Sequence, residues 1–171
     1  KIRVSNTDTA LVLFKESAIL SEALNNALLE GRAYSFMGIC HGMLNQFAEA
    51  IATTNKAIEI FKKINHLTYQ GSSYNNLAII YKRLGDLEKS LEMQLLAGET
   101  YDKDGYELGS ARVINNLGSL FKSMDDFDKA EVYYIKARAL YNKLSEKGDS
   151  TGIASSRLNL GLLYASMGKL E

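Results

Sequence analysis

The feature that most constrains this chain is a repeat. The segment Asn75-Asn76-Leu77-Ala78-Ile79-Ile80-Tyr81 returns as Asn115-Asn116-Leu117-Gly118-Ser119-Leu120-Phe121, an offset of 40 residues. It returns again as Asn159-Leu160-Gly161-Leu162-Leu163-Tyr164, with Gly161 lying 43 residues beyond Gly118. A weaker copy, Phe36-Met37-Gly38-Ile39-Cys40-His41, stands 40 residues before the Ala78 copy. A second pattern follows the first three copies: Phe47-Ala48-Glu49-Ala50, Leu87-Glu88-Lys89-Ser90 and Phe127-Asp128-Lys129-Ala130. Ala57, Ala97 and Ala137 then fall seven residues past Ala50, Ser90 and Ala130. Self-similarity at a fixed period means one supersecondary unit stacked on copies of itself, each burying its apolar face only against its neighbours.

The unit is helical. The 171 residues contain no proline, the residue that helix interiors exclude most strongly. Short breakers, Asn45-Gln46, Gly85-Asp86, Asp125-Asp126 and Gly168-Lys169, separate the patterns, and Asp86 and Asp126 are placed to cap the helix that follows. The expected organisation is a single array over 1–171. A lone helix over about 8–29 aligns with the second helix of a preceding repeat, with Ala10 and Ser17 at its small-residue positions. Hairpins follow at 31–66, 69–104 and 107–147. A first helix over about 150–167 then opens a truncated repeat (150–171). Its uncovered apolar face makes self-association through the chain ends a further expectation.

The order aromatic, Leu-Gly, Tyr, then Ala, aromatic and Ala resembles the signature of the tetratricopeptide repeat family. Tyr74, Leu77, Ala78, Tyr81, Ser90 and Ala97 occupy those places in one copy; Leu117, Gly118, Phe121, Ala130, Tyr134 and Ala137 occupy them in the next. The period exceeds the family's usual ~34 residues and the closing proline is missing. Long-period repeats of this kind are similar to those of kinesin light chain and of bacterial regulatory proteins. The simplest reading of the extra length is a longer second helix in each hairpin. The resemblance implies an all-α fold, a right-handed superhelical solenoid of antiparallel hairpins, and a concave groove for partners.

At ~100° per residue, positions four before, one before and three after the small residue complete a core face with it. Positions six before, two before, one after and five after it form another stripe, which the resemblance places in the groove. In order along the stack this stripe reads Arg32, Phe36, Ile39 and Met43; Ser72, Asn76, Ile79 and Arg83; Arg112, Asn116, Ser119 and Ser123; then Ser155, Asn159, Leu162 and Ser166. It carries three arginines and no acid, and its N-terminal end is apolar. An Asn amide offers the donors and acceptor that an extended backbone needs, so Asn76, Asn116 and Asn159 are expected to hold a peptide main chain, or else to bond a neighbouring helix. Arg32, Arg83 and Arg112 would bias the groove toward acidic ligands. The related clamp for a terminal carboxylate fits poorly, because Ser35 and Ile39 stand where it would want Lys and Asn.

Other chemistries find little support. Lys plus Arg and Asp plus Glu are both 20, which gives no electrostatic reason to expect nucleic-acid binding. No apolar run approaches the ~20 residues that span a bilayer. Cys40 is the only cysteine and aligns with core positions, as does His41, while His66 sits at a helix end; no metal set, cofactor loop or nucleophile–base pair emerges. Asp125, Asp126 and Asp128 lack the glycine and distal glutamate of a calcium loop. The expected function is a non-enzymatic interaction module that takes an extended peptide or partner segment. Its rival is a sensory, regulatory or oligomerisation part of a larger signalling enzyme, a kinase or nucleotide cyclase, and a structural spacer is the blandest reading.

Overall fold

In a computed structural model of the chain, residues 6–146 and 152–168 are described. They form eight helices and no strand: α1 (Asn6–Ala23), α2 (Ala27–Met43), α3 (Phe47–Lys63), α4 (Leu67–Leu84), α5 (Leu87–Asp104), α6 (Glu107–Ser123), α7 (Phe127–Glu146) and α8 (Ile153–Ser166). Each helix packs against the next along the chain. The helix read over about 8–29 ends at Ala23, and α2 begins at Ala27, ahead of the expected hairpin start at 31. The expected start of the last helix at 150 lies outside the described residues.

The reversals have one cause. Asn25, Asn45, Asn65, Gly85, Gly105 and Asp125 all adopt positive φ, from 52° to 90°, and they stand twenty residues apart. In each turn the left-handed residue donates its N–H to the carbonyl three before it, and the next residue donates to the carbonyl five before that one. Asn25 thus bonds Glu22 and Asn26 bonds Ser21, while Gly85 bonds Lys82 and Asp86 bonds Tyr81. This is the Schellman arrangement, which satisfies carbonyls that a helix end otherwise leaves bare. The second residue of each turn serves at once as the N-cap of the following helix. Asn26, Asp86 and Asp126 accept from the backbone N–H three residues on, at 3.1, 3.0 and 3.1 Å. The hidden half-period of twenty explains the long repeat. α2 and α3 both have 17 residues and α4 and α5 both have 18, so in these hairpins the added length is shared between the helices; in the third, α7 has 20 against 17 in α6.

The core is a chain of clusters that cross hairpin boundaries. Ile58 of α3, Tyr74 and Leu77 of α4, Ala97 and Tyr101 of α5, and Val113 and Leu117 of α6 form one of them. Leu11, Ala18, Ala33, Met37 and Cys40 join α1 to α2, and Ala130, Tyr134, Leu160 and Leu163 join α7 to α8. No hairpin could bury this surface alone. His41, at a core position, is buried with Nδ1 2.7 Å from Gln46 Oε1.

Within a hairpin the helices cross at the small residue. A Cβ on Gly118 would lie 2.7 Å from the Tyr134 ring, closer than real side chains approach, whereas one on Gly161 would meet nothing within 4 Å. The same repeat position therefore has opposite demands in α6 and α8. Gly118→Ala should destabilise the chain by about 1–3 kcal/mol through overpacking. Gly161→Ala should stabilise it by about 0.5–1 kcal/mol through helix propensity. Denaturant midpoints of the two variants check the opposite signs.

Candidate functional site

Four helices build the inner face. α2 touches α4, α4 touches α6 and α6 touches α8, while among the described residues α1, α3, α5 and α7 make no such contacts with one another. The array is therefore tighter along the α2–α8 row and curves with that row inside. Phe36, Ile39, Met43, Ile79 and Leu162 are exposed on it, large apolar side chains that no core covers.

The asparagines are partly engaged. Asn116 donates Nδ2–H to Asn75 Oδ1 at 2.8 Å, and Asn159 donates to Asn115 Oδ1 at 3.0 Å. Asn76 makes the corresponding, longer contact to Ser35 Oγ at 3.5 Å. Asn75 and Asn115, the first of each Asn-Asn pair, thus accept from the stripe asparagine of the next inner helix, and Ser35 takes the same part at the α2–α4 joint. One amide hydrogen of each stripe asparagine is used in this way. Its second hydrogen and its Oδ1 remain for another partner.

The arginines divide. Arg83 reaches back across the joint, donating from Nη1 to Gly42 O at 2.6 Å and from Nη2 to Asn45 Oδ1 at 2.9 Å, with its guanidinium 5.7 Å over the Phe47 ring. Those acceptors lie at the C-terminal end of α2, where the helix dipole favours a cation. Arg32 lies 5.5 Å over the Tyr69 ring with its Nε buried and unpartnered. Phe36 stacks on Phe14 with ring centroids 5.1 Å apart. Arg112 is exposed and has no hydrogen bond or ion pair among the described residues.

Three cavities run along this face. The first, of about 190 Å³, is apolar and is lined by Ile39, Met43, Asn76, Ile79, Ile80 and Arg83. The second, of about 340 Å³, lies between α4, α5 and α6 and holds Lys82, Gln94, Asn116 and Ser119. The third, of about 260 Å³, brings Arg112 and Asn116 together with Asn75, Asn115, Tyr141 and Ser155. Lys82 was not among the residues read from the sequence as groove-lining, nor was Gln94. Lys82 donates to Ser119 O at 3.0 Å and to its Oγ, and Lys122 makes the equivalent reach to Leu162 O at 3.2 Å. Their spacing of 40 residues was the available signal. Burial, and then the neighbouring Lys122 ammonium, hold the Lys82 pKa below the usual lysine value.

Electrostatically the inner row stands apart from a chain of zero formal net charge. α2, α4, α6 and α8 carry Arg32, Lys82, Arg83, Arg112, Lys122 and Arg157 against only Glu30 and Glu107. Both acids face elsewhere: Glu107 is 3.4 Å from Lys143 of α7, and Glu30 lines a cleft with Glu22, Lys56 and Glu59. α5 alone, on the outer row, holds five acids and two lysines.

Fold and face together define an all-α helical-repeat solenoid of the protein-interaction class. The tetratricopeptide repeat model matches residues 69–143 and 109–171, and the chain belongs to that family. No curated protein matches the chain significantly. Among solved structures, BtubC (BKLC) from P. vanneervenii superposes with a TM-score of 0.81 at 25% identity, covering 96% of this chain and 68% of that one. Apo RapI matches with a TM-score of 0.65 at 16% identity, covering 96% and 72%. A Podosopora anserina kinesin light chain with nearly identical TPR-like repeats matches with a TM-score of 0.62 at 13% identity, covering 94% and 86%. The last two likenesses speak to the fold alone. Proteins of this family bind protein partners and are typically non-enzymatic scaffolds. Among the described residues there is no cluster of potential metal ligands, and no helix is long and apolar enough to cross a membrane.

The two groove arginines should separate by measurement. Arg83→Met removes two bonds across a joint and should cost about 1 kcal/mol, at the low end for charged hydrogen bonds because the group is exposed. Arg112→Met should stay within about 0.5 kcal/mol of the parent. Thermal or urea midpoints of both variants decide the assignment.

Proposed function

We propose that the inner face binds an extended, acidic segment of a partner protein. The observation that carries this reading is the segregation of charge: the four inner-row helices of a neutral chain carry six cations against two acids, Lys82, Arg83 and Arg112 line the groove cavities, and both acids lie elsewhere. The row also offers what an extended backbone needs. Asn76, Asn116 and Asn159 keep an amide hydrogen and Oδ1 each, at a similar height on successive helices. Ile39, Met43 and Ile79 would receive an apolar residue at the N-terminal end of the groove, and Arg112 a carboxylate further along. Arg32, Phe36 and Arg83 would shape the groove more than bind, since each is already engaged with a neighbour. Nothing in this reading calls for catalysis, cofactor or metal.

A second reading, the regulatory or self-associating part of a larger signalling protein, draws on the terminal helices. α1 exposes Val12, Leu13, Ile19 and Leu20, and α8 exposes Leu158 and Leu162 with an uncovered Gly161 between them. Light scattering of the purified chain addresses it: a concentration-dependent rise in mass is expected from this reading, and a constant monomer mass counts against it.

The groove reading is tested by peptide-display selection against the chain. Selected sequences should be enriched in Asp and Glu beside an apolar residue. Arg112→Glu should weaken the best of them by about tenfold, roughly one interaction's worth of free energy. An uncharged consensus, or affinity indifferent to Arg112→Glu, would sink it. Alanine at Asn116 is a poorer probe, because it also removes the brace to Asn75.

A further inference from the structure

We infer that the cavity between α4, α5 and α6 anchors one acidic side chain of the bound segment, its carboxylate accepting from the Lys82 ammonium and the Gln94 amide. The inference rests on the groove reading and adds the residue type that the middle of the groove selects.

The cavity has a sequence cause. Position 94 corresponds to Tyr134 one repeat later, where the ring closes over Gly118, and to Thr54 one repeat earlier, which packs on Gly38. In the middle hairpin a glutamine faces Ala78, and a space of about 340 Å³ stays open to the groove between Ile79 and Asn116. Gln94 lies at its floor, 2% exposed, and its Oε1 has no partner. Buried polar groups are nearly always bonded, so an orphan amide facing a cavity is a group that lacks its ligand. Neither end of this amide holds a hydrogen bond among the described residues, so a half-turn about its last torsion presents N–H in place of C=O without breaking any bond.

The second group fixes the ligand's charge. Lys82 Nζ spends two hydrogens on Ser119 and keeps a third. It forms no ion pair among the described residues, and the charge that acts on it is another cation, Lys122. A half-buried ammonium without a counter-ion, lining the same cavity as an unbonded amide, suits an anion with two acceptor oxygens. The position settles how that anion arrives. The groove continues past the cavity in both directions, toward Ile39 and Met43 on one side and toward Arg112 and Asn115 on the other. A chain following the groove crosses the mouth of the cavity, so a side chain enters it and the terminus does not.

The test reads the pocket alone. The ¹⁵N-labelled chain is titrated with N-acetyl-glutamate N-methylamide and, separately, with N-acetyl-glutamine N-methylamide, following the Gln94 side-chain NH₂ resonances. The glutamate probe should shift them saturably at millimolar concentration. The glutamine probe should bind about tenfold more weakly, and Lys82→Met should abolish the response to glutamate. No shift with glutamate, equal affinity for the two probes, or an undiminished response in Lys82→Met would each overturn the proposal. The comparison of probes on the parent chain stands even if the variant fails to fold. Display selection of acidic peptides that leave Gln94 unmoved would overturn the pocket and spare the groove; a glutamate response without selected peptides would do the reverse.

Discussion

A helix can reverse direction within three residues only if its last carbonyls find donors at once and the chain steps into left-handed backbone. Six times, at intervals of twenty residues, this chain does both in one motif and starts the next helix from the same residue. From α1 to α7, helix length, the twofold alternation of inner and outer helices, and the register of the joints follow from that spacing. Because the turn leaves little slack, the same repeat positions are brought opposite one another at successive joints. The Asn-Asn braces and the Lys82 and Lys122 reaches can therefore recur one repeat apart.

The fold was largely legible in the sequence, because a core face repeated every 40 residues writes itself onto the chain. Met37, Leu77, Leu117 and Leu160, all one before the small residue, are all buried. The first half-period was harder to see. The expected hairpin limits at 66/69 and 104/107 fall beside the turns at Asn65 and Gly105, but Asn25 sits in a string with neither glycine nor a neighbouring acid, and 8–29 reads as one helix. Left-handed tolerance in asparagine is a weaker signal than in glycine.

The candidate site was legible in outline and not in its bonding. Periodicity places Asn76, Asn116 and Arg83 on one stripe, and the structure keeps them there. It cannot tell which donor is consumed within the stack. Arg83 turned out to grip the preceding turn, and each asparagine shares itself between a neighbour and the groove. Lys82 lies one residue off the stripe, beside Arg83, and recurs as Lys122 but not at Gly42; Gln94 lies on the outer-row helix α5, where Thr54 and Tyr134 stand at the same repeat position.

The placement of charge has a consequence for motion as well as for contact. The chain has zero formal net charge, yet its inner-row helices carry more cations than acids and α5, on the outer row, more acids than cations, so its charge is unevenly placed. A charged partner within a Debye length of ~8–10 Å would exert little net pull on such a body but would feel its uneven charge as a torque. An approaching acidic segment would turn the arc to face it before touching it, while a basic one would meet its back. Orientation, and not attraction, is then what the inner cations would supply first to such a segment, in the last few ångströms of diffusion.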